Sequence, residues 1–115
     1  MSDIQVFSSS KNGFEVIHSF DGWQIGMIRY SDILKKASKE RLEKHELTDE
    51  AFVLLEGEAS IYVGIELKKT EMKTGFVYNI PKNMWHTITL SEDACVIVIE
   101  NIKTEIYDKN PFNPV

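Results

Sequence analysis

Two of the three histidines in this chain fall into one constellation with carboxylates, and that constellation carries most of the chemistry the sequence offers. It reads Glu43-x-His45-x4-Glu50-x6-Gly57, followed downstream by Gly75-x5-Pro81-x4-His86. Imidazole and carboxylate together make a mixed nitrogen and oxygen donor set, the kind that divalent first-row metals accept. Glu43 and His45 are two residues apart, so in an extended segment both side chains leave by the same face. Glu46-Leu47-Thr48-Asp49 then turns the chain, Thr48 and Asp49 being types that bond their own backbone in turns. Glu50 opens the next strand in phase with Phe52 and Leu54. The spacing therefore predicts His45 and Glu50 side by side, with Gly57 closing the hairpin behind them.

Short strands must do this positioning. Phe14–Phe20 and Trp23–Tyr30 flank Asp21-Gly22, a strong two-residue hairpin signal. On the second of these, Trp23, Ile25, Met27 and Arg29 share a face. Ser31 to Lys44 is ambiguous, and the expectation is a helical turn capped by Ser31, then a strand into His45. Strands are expected again over Ala51–Leu55, Ala59–Val63, Phe76–Ile80, Trp85–Leu90 and Ala94–Glu100, with a short charged edge from Ile65 to Lys69 and at Met72. Pro81 closes or edges its strand because it donates nothing to a ladder. Asn101–Asp108 adds one more strand, and residues 109–115 read as a tail. Eight to ten short strands in one small domain predict an all-β fold, a small antiparallel barrel or jelly roll. Residues 1–115 form a single domain with a core of about 13–108.

Bulk properties exclude several classes. A net charge of −5 argues against nucleic acid, which demands clustered Lys and Arg. Cys95 is the single cysteine, so no intrachain disulfide forms, and its apolar surroundings suit a buried hydrophobe. No run is long enough to span a bilayer and the first residues do not resemble a secretory leader, so a cytoplasmic protein is expected. Ser8-Ser9-Ser10 lacks a nucleophile elbow, and the glycines form no phosphate-cradling loop.

With these residues in place, the chain resembles the cupin superfamily, whose first motif is G-x5-H-x-H-x3–4-E-x6-G. On this sequence the second histidine of that motif is His45, its glutamate Glu50 and its last glycine Gly57, while Glu43 replaces the first histidine and Ala37 the opening glycine. The second motif, G-x5-P-x-G-x2-H-x3-N, falls on Gly75, Pro81 and His86, with Asn83 at its second glycine and Leu90 at its asparagine. Asn tolerates left-handed backbone best after glycine, so Asn83 is expected to keep the turn that aims His86 inward. The resemblance implies a double-stranded β-helix and a divalent ion (Fe, Mn, Ni or Zn) on His45, Glu50 and His86. Glu43 is a fourth donor, a group supporting a donor, or a general base.

Three functional readings follow from the resemblance. One is a metal-dependent enzyme acting on a small polar metabolite. Another is a barrel that binds or senses such a ligand without turning it over. The last is a relative of the cupins that isomerise or epimerise sugar nucleotides with histidine acid–base groups, against which Glu43 in place of a histidine counts. Pairing into a homodimer is also implied. Arg29 is a candidate for holding a substrate carboxylate or phosphate, a rim arginine in water being the plainer reading. Trp23, Phe52, Tyr62, Phe76, Tyr78 and Trp85 serve a pocket or, for most of them, the core, and His18 is expected to be structural.

Overall fold

Asp21 and Gly22 both take left-handed backbone, φ 50° and 89°, as a two-residue hairpin turn requires. They join β1 (Gly13–Phe20) to β2 (Trp23–Arg29) in the register Phe20 opposite Trp23. The computed structural model describes residues 3–105. The remaining strands are β3 (Glu50–Glu56), β4 (Ala59–Val63), β5 (Lys68–Glu71), β6 (Tyr78–Ile80), β7 (His86–Leu90) and β8 (Cys95–Asn101). They build two sheets, a five-stranded one in the order β1-β2-β8-β3-β6 and a three-stranded one in the order β5-β4-β7. Every strand pairing is antiparallel. No α-helix occurs among the described residues, and none of their helical segments is long and apolar enough to cross a membrane. The small all-β jelly roll expected from the strand pattern is the fold observed.

Alternation decides what faces the interior. On β8, Val96 and Val98 are 0% and 1% exposed, and on β3 Phe52 and Leu54 are 4% and 3% exposed. These side chains meet Ile61, Ile88 and Leu90 of the opposing sheet in one apolar cluster. Burying each such side chain stabilises by about 1.5–3 kcal/mol. Gly57 (φ 76°) turns β3 into β4 against the 91–94 loop, where a Cβ would lie 2.5 Å from the Ala94 Cα. The position therefore demands glycine both for its backbone angle and for space.

Several local expectations are corrected. Ser31–Lys44 forms two 3-10 turns, Asp32–Lys35 and Lys39–Arg41, and the Ser31 side chain does not cap the first. No strand enters His45: Glu43 makes a lone bridge to His86, because one turn ends at Arg41 and the next loop begins at Glu46, leaving no length for a ladder. The charged edge strand is shifted to Lys68–Glu71, after a turn in which Leu67 N–H donates to the Gly64 carbonyl (2.9 Å). Phe76 and Val77 precede their strand and are 58% and 68% exposed. Past Asn101 the chain forms a 3-10 turn, Ile102–Glu105, instead of a further strand. The end of that expected strand, residues 106–108, and the tail at 109–115 lie outside the described residues.

Candidate metal centre

Four elements deliver the four side chains singled out by spacing. His86 and Glu50 each open a strand, β7 and β3, at the same end of the barrel. Glu43 is fixed beside His86 by a reciprocal backbone pair, in which each N–H donates to the other's carbonyl at 2.9 Å. His45 sits on the following loop, and its carbonyl accepts from the Asn83 N–H at 2.8 Å. Asn83 takes the left-handed backbone expected of it (φ 69°), so this one turn both aims His86 and anchors His45. Asp49 braces the same loop by accepting from the Lys82 N–H (2.9 Å) and the Asn79 amide (3.1 Å). Those two bonds hold its carboxyl below the usual range.

The resulting cluster is tight. One atom from each of Glu43, His45, Glu50 and His86 lies within 4.8 Å of all the others. Glu50 Oε1 is 3.0 Å from His86 Nε2 and 3.4 Å from His45 Nε2, and Glu43 Oε1 is 3.9 Å from His45 Nε2. The far nitrogen of His86, Nδ1, is 2.8 Å from the Met84 carbonyl. A carbonyl can only accept, so Nδ1 carries a hydrogen, and Nε2 meets Glu50 either with a second proton that it donates or, where that proton is absent, with a lone pair. Two electron-rich atoms at that separation need a proton or a cation between them. The donor set therefore suits a divalent ion, with the Met84 carbonyl orienting the imidazole as supporting groups in metal sites do.

The sheet register adds residues that spacing did not reveal. Glu100 lies opposite both Gln24 on β2 and Glu50 on β3, so three polar side chains run abreast across the five-stranded sheet. Gln24 Nε2 donates to Glu100 Oε1 (3.3 Å), and Glu100 shares a hydrogen bond with Glu50. Burial and the neighbouring Glu50 push the Glu100 carboxyl up to about 8. Burial also opposes ionisation of Glu50, but hydrogen bonds from His45 and His86 outweigh it and hold that carboxyl at about 2. Burial raises Glu43, with the charge of Glu50 adding to it and His86, His45 and Arg41 opposing.

This pair makes the stability of the metal-free protein pH-dependent with a definite sign. Below its ordinary value of 4.5 Glu100 is protonated whether folded or not, and as pH rises towards 8 only the unfolded chain releases the proton. Stability contributed by Glu100 is thus lost across that window, whereas the Glu50 contribution is already complete above 4.5. Glu100→Gln, which cannot ionise, should match the parent at pH 5 and exceed it at pH 9 by on the order of 1–3 kcal/mol. Urea melts of chelated protein at the two pH values check this, and equal pH slopes in both proteins would refute it.

A partly open cavity of about 500 Å³ is lined at one side by the cluster. Phe14, Ile28, Leu34, Phe52, Ile88 and Val98 give it apolar walls, and Gln24, Arg41, Thr87 and Glu100 are polar points within it. Of the aromatic residues considered from sequence, Phe52 lines this cavity, and Phe14 joins it unforeseen. Trp23 is 40% exposed and lies with Phe20 and His18 in an aromatic group away from it. His18 also stacks on Phe7, with ring centroids 4.7 Å apart, which fits its expected structural role. Arg29 is not brought to the cavity. Its Nε donates to the Ser9 carbonyl (2.6 Å) and its Nη1 is 3.7 Å from Glu56, because the face it shares with Trp23 is the outer one. For Glu100 a signal did exist, since it continues the parity of the inward-facing Val96 and Val98. For Arg41 and Gln24 none did.

Two face-to-face antiparallel sheets with a histidine–carboxylate cluster at one end of the cavity between them define a cupin barrel. The chain belongs to the cupin family: residues 30–100 match the Cupin_2 cupin-domain model. Solved structures agree on the fold. A cupin-2 domain protein from Shewanella frigidimarina is 22% identical with a TM-score of 0.62, over 81% of this chain and 84% of that one. A cupin protein from Bacteroides fragilis is 15% identical with a TM-score of 0.63, over 100% and 98%. HppE in its Fe(II) form is 14% identical with a TM-score of 0.59, over 89% of this chain and 58% of that one. No curated protein matches the chain.

Proposed function

We propose that this cupin is a metal-dependent enzyme acting on a small polar metabolite, with the ion on His45, Glu50 and His86 and with Glu43 beside it as the group that moves a proton. The observation that carries the reading is the adjacency of a four-residue donor cluster to a cavity of about 500 Å³. A purely structural ion is closed off by its ligands, whereas a catalytic one faces a space that substrate can enter. The fold is shared with HppE, which its structure describes as an Fe(II) protein, and this adds support for a redox-capable or Lewis-acid ion. The donor types accept Fe, Mn, Ni or Zn. When bound, such an ion polarises an oxygen of the substrate or activates water or oxygen beside it.

The protein's own groups have distinct tasks in this reading. Met84 and Glu50 orient His86, and Glu100 holds Glu50 from behind. The apolar walls exclude water and strengthen every charge interaction inside. Glu43, with 47% of its side chain open, stands where a proton could be passed to or from bound substrate. A homodimer is part of the same proposal. Trp23, Leu55 and Ile99 leave 40%, 49% and 43% of their surface open on the five-stranded sheet, which supports pairing.

Thermal shift tests the reading directly. Chelated protein titrated with Fe(II), Mn(II), Ni(II) or Zn(II) should melt higher with at least one ion, by the equivalent of about 2.7 kcal/mol at a hundred times its Kd. A metabolite screen on the loaded protein should then name the substrate. No shift with any of the four ions would overturn the proposal.

A further inference from the structure

Among the described residues Arg41 is the only arginine or lysine that lines the cavity, and neither motif includes it. Its guanidinium is held by backbone: Nη2 donates to the Lys36 carbonyl (2.8 Å) and to the Ile88 carbonyl (2.9 Å), and Nε donates to Lys36 (3.2 Å). All three bonds end on neutral oxygens, so they fix the fork in place without neutralising it. Glu43 is the carboxylate whose charge acts on it most, and it is also the most exposed member of the four-residue cluster. Apolar walls surround the rest of the space. A positive charge fixed at the wall of such a space attracts an anionic ligand into it.

The chemistry of that anion is constrained. One guanidinium supplies one positive charge, and the Nη1 group, the part of the fork that the three backbone bonds do not use, suits a single carboxylate. A phosphate ester carries more charge and calls for several cations, and among the described residues no second arginine or lysine lines this cavity. Thr87 and Gln24 are neutral and suit a hydroxyl or carbonyl oxygen on the same molecule. We infer that Arg41 is the specificity-determining residue of this cavity and that the ligand is a small monocarboxylic acid bearing a second oxygen donor. The inference rests on the cavity being a ligand site, as proposed above, but not on the ion.

Binding to the full chain, with and without metal, tests it by calorimetry. The probes are pyruvate, lactate and 2-oxovalerate, the primary amides of the same acids, and glycerol phosphate. At least one acid should bind, and its amide should bind tenfold or more weakly, a difference of about 1.4 kcal/mol. Arg41→Gln should lose the same tenfold preference while its metal content stays at the parental level, and Arg41→Lys should recover part of it. The comparison of acid with amide on the parent chain stands even if Arg41→Gln fails to fold. Acids that bind through Arg41 to protein lacking any metal would support the inference while removing the metal reading. Amides that bind as well as acids, a preference for glycerol phosphate, no binding by any acid, or an Arg41→Gln variant of unchanged selectivity would each overturn it.

Discussion

Parent protein loaded with its preferred divalent ion should carry about one ion per chain after desalting, and the double variant His45→Ala with His86→Ala should carry none. Both imidazoles are almost fully buried, at 6% and 2% exposure, and both point Nε2 at the same oxygen of Glu50. Removing them leaves two carboxylates, which alone hold first-row ions far less selectively than a mixed set. Even supporting groups typically account for ten- to a hundredfold in metal affinity, so losing two direct donors should cost on the order of a thousandfold or more. Loss of the imidazoles also removes the hydrogen bonds that hold the Glu50 carboxyl at about 2, so burial would then drive it upward and weaken the site further. Circular dichroism should report an intact sheet, because the apolar cluster that packs the two layers contains neither histidine. Elemental analysis decides the matter, and equal metal in parent and variant would eliminate the centre.

Glu43→Gln should keep the ion and lose turnover, by about a hundred- to ten-thousandfold as general acid–base groups contribute. Glu43 is the most open member of the cluster, 47% exposed against 7% for Glu50, and its 3.9 Å from the His45 imidazole exceeds the 3.4 and 3.0 Å that separate Glu50 from the two imidazoles. Burial raises its carboxyl above the ordinary 4.5, the direction that favours a proton-transferring role. Gln keeps the size and one oxygen but cannot carry the proton. Metal content and turnover of the screened substrate, measured on one preparation, separate the roles. A ten- to hundredfold fall in metal affinity would make Glu43 a donor or a donor's support instead. Full metal and full activity together would leave it with neither role.

The strand pattern was legible wherever local chemistry suffices. Asp21-Gly22 requires a hairpin from its own backbone preferences, and the alternation in β3 and β8 requires one buried face whatever the partner is. The segment 31–44 was not legible. Its sparse apolar residues, Leu34, Ala37 and Leu42, fit neither period, and only packing of Leu42 (1% exposed) and the bridge from Glu43 to His86 fix its course. Arg29 shows the same limit from the other side. Period two correctly grouped it with Trp23, Ile25 and Met27, but a period cannot say which of two faces is inside.

For the site itself, the sequence determined the donor types, their spacing and the left-handed turn at Asn83, because those depend on residue identity and on a few bonds of local chain. It thereby determined which four side chains to consider. Tertiary structure alone decided the distances among them, since residues 43–50 and 86 meet only through the two sheets. It also decided that Glu100 backs Glu50 and that Arg41 enters the cavity. Register across β2, β8 and β3 sets the first, and the carbonyls of Lys36 and Ile88 set the second. Both are contacts between segments far apart in the chain, and no local preference encodes them.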